Sequence, residues 1–308
     1  MRTLGAGTRR RASSLVELLV ALVLFGVIGL ATLRSLDRQA RFHSGILAVL
    51  EARSQHAAAH EAVAVELRSV SPASSDLNRL SDSAIVFRLP VGAGVACGVA
   101  AGVIDLAPDR IAAGQIFAGF RTSPQPGDTA WVLDENATDM AADDVWAPLH
   151  VTSAARATGR CAGSLLIDPV LDASTATWRL GVSGSPPATV MPGAPVRLTR
   201  MARFALYRGG TGEHWLGFSE VLPASGTWVT IQPVSGPYVP FNAGAPSASG
   251  IAFAARDTSG LAVGLPGLPS AITLSTRTRT TRVVRMDGLS RGPYQDSLHS
   301  LISLRNIR

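Results

Sequence analysis

The sequence predicts an α+β protein: a long N-terminal helix, its first half transmembrane and its second half amphipathic, packed on an antiparallel β-rich head. Three observations predict it. Residues Ser13 to Leu33 (SSLVELLVALVLFGVIGLATL) carry one ionisable group, Glu17, and are long and apolar enough to cross a bilayer. From Arg34 to Val70 there is no proline and one glycine, Gly45, and apolar residues recur at helical spacing. From Pro72 onward, short runs rich in Val, Ile, Phe, Trp and Leu alternate with clusters of Gly, Pro, Ser and Asp, the pattern of strands with short connections.

The chain opens with MRTLGAGTRRRA, residues 1–12, which holds Arg2, Arg9, Arg10 and Arg11. The apolar run that follows is about 20 residues, roughly 30 Å of helix. Arginines before it and a large domain after it place the N-terminus in the cytoplasm by the positive-inside rule. Three readings compete for the run. A secretory signal peptide needs a small-residue cleavage site after it, and the residues after Leu30 (ATLRSLDRQARF) offer no A-x-A. A plain membrane anchor accounts for the span and its flanking arginines but not for Glu17, because a carboxylate in hydrocarbon is costly and usually functional.

The third reading accounts for all of these features. The segment ASSLVELLVALVLFGVIG resembles the N-terminus of type IV prepilins and of the pseudopilins of type II secretion. In that family a short basic leader ends at a small residue, usually Gly. A prepilin peptidase cuts there on the cytoplasmic side, and the new N-terminus is commonly methylated. The fifth mature residue is a glutamate, and Glu17 in Leu15-Val16-Glu17-Leu18 takes that place. The resemblance thus puts the cut between Ala12 and Ser13; Ala12 stands where Gly is usual, and Ser13 where Phe or Met is common. It also gives Glu17 a role in assembly, since the freed amine of a neighbouring subunit would supply the cation that a carboxylate in hydrocarbon calls for.

Beyond the span, Leu36, Ala40, Leu47, Leu50, Ala57, Ala64, Leu67 and Val70 continue the period, and a helix from about Ser14 to Val70 would be roughly 80–90 Å long at 1.5 Å per residue. This second half is expected to lay its apolar stripe on the head. Gly26 and Gly29 lower helix propensity within the apolar half. Ser71-Pro72 is expected to end the helix, because proline disfavours the α conformation of its predecessor. The chain then divides into a leader (1–12), a helix (13–70, with its transmembrane segment at 14–33) and a β-rich head (71–308).

Strands are expected at Ala84–Leu89, Thr129–Leu133, Ser164–Ile167, Trp178–Val182, Val196–Tyr207, His214–Val221, Trp228–Pro233, Gly250–Ala255, Ile272–Met286 and Leu298–Asn306. A hairpin turns at Gly209-Gly210-Thr211-Gly212. The pattern L-R-x-V-S-P after the helix, then SAIVFR and the closing S-L-R-N, resembles the larger minor pilins and the J-type minor pseudopilins, which implies a pilin-like head. Cys97 and Cys161 each sit beside glycine in a turn-like stretch. Export would let them pair, closing a loop of about 65 residues worth roughly 4 kcal/mol; the other reading is two unpaired small hydrophobes.

Composition narrows the chemistry. Hydrophobic residues make up 46% and charged ones 16% of the 308, which supports a core and argues against global disorder. The net charge is +6, yet all 28 basic residues are arginine. Without lysine there is no P-loop, no protein kinase and no pyridoxal-phosphate Schiff base. No G-x-S-x-G elbow occurs; GVSGSP (Gly181–Pro186) reads as a turn, and GAGVACG (Gly92–Gly98) misses the dinucleotide spacing. His56 and His60 are spaced i, i+4, a solvated helix face rather than a metal site; His150, His214 and His299 are isolated. Asp134–Asp144 (DENATDMAADD) departs from an EF-hand, with Asp139 at its sixth position and Val145 at its twelfth, and reads as a solvated loop.

STRTRTTRVVR, Ser275 to Arg285, carries Arg277 and Arg279 on one face of a strand, and the break at Thr280-Thr281 sends Arg282 to the other. Such arginines are candidates for phosphates of nucleic acid, although no aromatic residue interleaves with them. A charged edge strand guarded against aggregation accounts for the run equally well. The sequence therefore reads as a structural subunit, a minor pilin or minor pseudopilin of a type IV pilus or type II secretion filament. Its partners are prepilin peptidase, sister subunits and the inner membrane, its head is exported, and no enzyme activity, metal or cofactor is expected. The alternative is a membrane-tethered adhesive or DNA-binding module.

Overall fold

The computed structural model describes residues 15–72, 75–136, 138, 140, 143–161, 163–222, 225–265, 267–284 and 292–305. The leader with Ala12 and Ser13, part of the Asp134–Asp144 loop, Met286 and Asn306 lie outside the described residues.

Helix α1 (Leu15–Leu67) is a single run of 53 residues. Leu, Ala, Glu, Arg and Gln dominate it, all strong helix formers. It stops short of Ser71-Pro72: the N–H groups of Ser69 and Val70 donate to the carbonyls of Glu66 and Leu67, and Ser69 Oγ donates to Glu66 O at 2.7 Å. This tightened last turn uses carbonyls that a helix end otherwise leaves bare. The chain divides into two compact units, Met1–Glu51 with Thr280–Tyr294, and Ala52–Arg279 with Gln295–Arg308. The division falls inside α1.

In the second unit α1 packs on an all-antiparallel sheet. The chain continues through β1 (Leu77–Ser81), β2 (Ala84–Ala100), β3 (Val103–Leu106), β4 (Gly119–Phe120), β5 (Thr129–Asp134), β6 (Val145–Ala157) and β7 (Thr177–Val182). There follow β8 (Pro195–Arg208), β9 (His214–Leu222), β10 (Thr227–Trp228), β11 (Gln232–Tyr238), β12 (Ile251–Arg256), β13 (Ala271–Val284) and β14 (Gly292–Ser303). The 17-residue β2 and 14-residue β8 pair along almost their whole lengths and serve two structures at once. Their outer halves join β1, β9, β11, β12, β13 and β14 in an open sheet. Past a bulge at Pro90/Gly92, their other halves join β3, β7, β6 and β5, and these six strands pair in a closed ring. A ring removes its own edges.

Each structure has its own core. Every ring strand gives two residues to one cluster: Val91 and Ala96, Ile104 and Leu106, Ala130 and Val132, Leu149 and Val151, Leu180 and Val182, Val196 and Leu198. The open sheet buries Ile85, Phe87, Phe204, Leu216, Ile272 and Leu274 beneath Ala59, Val63 and Leu67 of α1. Phe87 and Phe204 stack at 5.8 Å.

Several expectations need correction. The packed face of α1 is Ala52, His56, Ala59, Val63, Glu66 and Leu67, whereas Leu47 and Leu50 are exposed. Reading apolar residues alone rotated the stripe, because two members of the true face, His56 and Glu66, are polar and hydrogen-bonded. Ser164–Ile167 is no strand. It forms turns held by Cys161 O and Ser164 Oγ, with Leu165 fully exposed. Trp228–Pro233 is split between β10 and β11, and Gly181 and Val182 belong to β7, so that turn starts only at Ser183. β6 was not foreseen: it carries Pro148 and many small residues, and its neighbours β5 and β7 fix it.

Candidate functional site

The first described turns of α1 leave their apolar side chains bare. Leu15 is 80% and Phe25 77% exposed, and the most apolar 18-residue window, of mean hydropathy 2.5, has no buried residue. This helix is long and apolar enough to cross a membrane. Glu17 lies in its first described turn, exposed among leucines and valines. Thr32 closes its hydroxyl on Ile28 O at 2.9 Å, which spares it a partner elsewhere. Asp37 and Arg41 form an exposed charge pair beyond the apolar run.

Cys97 and Cys161 form a disulfide, with Cα atoms 5.4 Å apart across a sequence separation of 64. Cys97 lies within β2 rather than in a turn; Cys161 follows β6 in irregular chain. The bridge is buried with Ala107, Phe117 and Ile167 outside the ring's core. A disulfide belongs to an oxidising compartment, so helix and bridge together describe a membrane-anchored chain with an exported domain.

The histidine pair is not solvated. His56 is 3% exposed, with Nδ1 2.7 Å from Thr276 Oγ1 and Nε2 3.1 Å from Thr278 Oγ1. His60 reaches Ser300 Oγ at 2.5 Å and Thr276 Oγ1 at 2.9 Å. Burial lowers both pKa values, that of His60 to about 4, where the charges of His56 and His299 add to the effect. Both rings are therefore neutral struts between α1 and the sheet. No group of three or more metal-ligating side chains occurs among the described residues.

On β13, Thr276, Thr278 and Thr280 point inward, and Arg277 and Arg279 share the other face, half-buried and exposed respectively. Arg282 belongs to β13, and its side chain lies outside the described residues. The strand is not an edge: it pairs with β11, β12 and β14. Tryptophans meet arginines elsewhere, Arg88 over Trp131 at 4.5 Å, Arg203 over Trp228 at 4.4 Å, Arg156 over Trp178 at 4.7 Å and Arg197 over Trp146 at 5.7 Å.

A cleft of about 640 Å³ opens where α1 ends beside the β2 bulge. Its walls include Arg121, Arg197, Arg305 and Trp146, with Ser69 and Ser71 from the chain leaving α1. Arg121 holds both oxygens of Glu66 at 2.5 Å, a bidentate bond that raises the arginine's pKa. Arg197 Nη2 donates to Asp76 Oδ2 at 2.8 Å, and Ser71 N to the same oxygen at 3.0 Å. Asp76 Oδ1 is buried and accepts no hydrogen bond among the described residues.

No family model, curated protein or solved structure matches the chain.

The geometry alone therefore ranks the residues. The sequence pointed to Glu17, the cysteines and the β13 arginines; it missed the cleft. Arg121, Arg197 and Arg305 are single arginines 76 and 108 positions apart, without a shared local pattern. The faint signal was Glu66, a carboxylate at a helical position that the packed face requires.

Proposed function

We propose that this chain is a structural subunit of a filament of the type IV pilus or type II secretion kind, a minor pilin or minor pseudopilin. In this reading a prepilin peptidase of the inner membrane cuts between Ala12 and Ser13, and the mature chain assembles with sister subunits through its helix. The N-terminus faces the cytoplasm and the head is exported. The head offers contact surface, and no catalytic step is assigned to it.

The observation that carries this reading is α1. One helix holds a bare apolar run with Glu17 near its start and runs on without a break to supply Ala59, Val63 and Leu67 to the head's core. A plain anchor needs only a span and a tether. A filament subunit needs a helix that is exposed for lateral packing at one end and rigidly built into a head at the other. A second reading, an adhesive or DNA-binding head, has Arg277 and Arg279 side by side on β13 in its favour.

The deciding experiment is the intact mass of the protein from membranes, with and without the cognate peptidase. Loss of Met1–Ala12, with or without one methyl group, is the expected result. An uncut chain beside an active peptidase overturns the reading.

A further inference from the structure

We propose that the cleft beside the end of α1 binds the carboxylates of an acidic peptide segment, with Arg305 and Arg197 as its guanidinium contacts and Trp146 as its apolar wall. The inference concerns the head alone and does not rest on the filament reading.

Charge is the first argument. Three guanidinium groups, Arg121, Arg197 and Arg305, line one cleft, and two carboxylates, Glu66 and Asp76, answer them. Arg305 is exposed, and its side chain makes no ion pair or hydrogen bond with a described residue. Glu66 and Asp76 match Arg121 and Arg197, so Arg305 carries the one guanidinium charge of the cleft without an ion pair among the described residues. Arg197 is held by Asp76 and lies over Trp146, so its guanidinium is fixed in place before any ligand arrives. A pre-positioned fork of this kind matches a carboxylate in two-point geometry.

Shape and lining choose the peptide over other anions. A volume of about 640 Å³ accommodates several residues, far more than a bare inorganic anion. Val65 and Pro90 give the cleft apolar surface that a free phosphate cannot use and a peptide with apolar residues between its acids can. A single-stranded nucleic acid asks for a series of rings to stack on. This cleft holds one, already faced by Arg197.

The test uses the full chain in a neutral detergent and a dye-labelled peptide, Glu-Leu-Glu-Leu-Glu, followed by fluorescence anisotropy. The expected result is saturable binding, weakened about tenfold by Arg305→Glu and about fivefold by Arg305→Gln. Arg279→Glu, the same charge change on β13 outside the cleft, leaves it within twofold. Because Arg305 is exposed, its variants keep the fold, which an unchanged melting curve checks. Absence of saturable binding overturns the proposal, and so does equal loss in Arg279→Glu, which would make the effect one of net charge. Inorganic phosphate displacing the peptide at equal or lower concentration would mark a free-anion site. Oligothymidine displacing it more readily would mark a nucleic-acid site. Either of these also overturns it.

Discussion

Arg200 and Asp128 meet through two hydrogen bonds, Nε to Oδ1 at 2.7 Å and Nη2 to Oδ2 at 3.0 Å, beside the point where β2 and β8 pass from the open sheet into the ring. Asp128 is fully buried, Arg200 is 9% exposed, and Glu220 takes the remaining Nη1 at 3.1 Å. The bond to Asp128 is the main reason that Arg200 has a raised pKa. Asp128→Ala would leave a buried guanidinium with Nε and Nη2 unpaired and only Glu220 at Nη1, and its expected cost is about 3–5 kcal/mol. The equivalent deletion at the end of α1, Glu66→Ala, frees Arg121, whose side chain is 55% exposed and turns to water; roughly 1–2 kcal/mol is expected. Urea unfolding of the two variants measures the order. Equal costs would refute this ranking by burial.

The histidine struts predict acid sensitivity. Burial holds His60 at about 4 against 6.5 for a free side chain, so the unfolded chain takes up the proton first as pH falls. The contribution of His60 is therefore complete above the unfolded value of 6.5 and is lost progressively toward pH 4. At His56 the charge of Asp296 opposes the downward shift without cancelling it. Thermal melts at pH 7 and pH 4.5 should show a larger drop in the native protein than in His60→Gln. Carboxylates titrate in both proteins, so the difference isolates the imidazole. Equal drops would remove His60 from the acid response.

The bulge at Gly92 depends on a missing side chain. A Cβ there would press into the Phe120 ring and come within 2.7 Å of Gly119 O. Backbone lies in the way, so Gly92→Ala should peel β4 from β2 at a cost of about 1–3 kcal/mol. At Gly119 a Cβ meets nothing within 4 Å, and Gly119→Ala should stay within about 0.5 kcal/mol. Calorimetric melting of the pair tests this, and a neutral Gly92→Ala would show that β4 is not held by that contact.

Much of this architecture was legible in the sequence, and the exceptions share a cause. The helix was legible because its signals, a bare apolar run and a proline-free period, are local. So was the β8–β9 hairpin, whose glycine turn at 209–212 is local too. The closed ring was not, since its closure depends on β2 pairing with β8 across about 110 positions and on β6, whose alanines, serine and Pro148 give weak strand propensity. The face of α1 was misplaced for a related reason: His56 looks polar until Thr276 and Thr278, some 220 residues away, are brought against it. The arginine cleft assembles residues from six separate stretches, a relationship that no window of sequence contains.

Reducing the Cys97–Cys161 bridge should cost about 4 kcal/mol, the chain-entropy value for a closed loop of this length. The bridge ties β2 of the ring to the irregular chain after β6, so the ring's unfolding should become separable from that of the open sheet. Melts of Cys97→Ser/Cys161→Ser against the oxidised protein, at a pH where thiols do not exchange, give the number. A shift below about 1 kcal/mol would mean that the reduced, unfolded chain already keeps that loop compact.

Under the proposed filament reading, substitutions at Glu17 would separate anchoring from assembly. Hydrophobicity alone predicts that Glu17→Leu enters the membrane at least as well as the native chain, because removing a carboxylate from the apolar run lowers the cost of insertion by a few kcal/mol. If the carboxylate serves instead to meet a cation on a neighbouring helix, the same change leaves membrane retention intact and abolishes cross-links to sister subunits. Gln at this position keeps size and hydrogen bonding without charge, and should behave like Leu if the ion pair matters. The decisive readout is therefore the ratio of cross-linked to membrane-bound protein in the three forms. A ratio unchanged in both variants would leave Glu17 without an assembly role, whatever the peptidase does at Ser13.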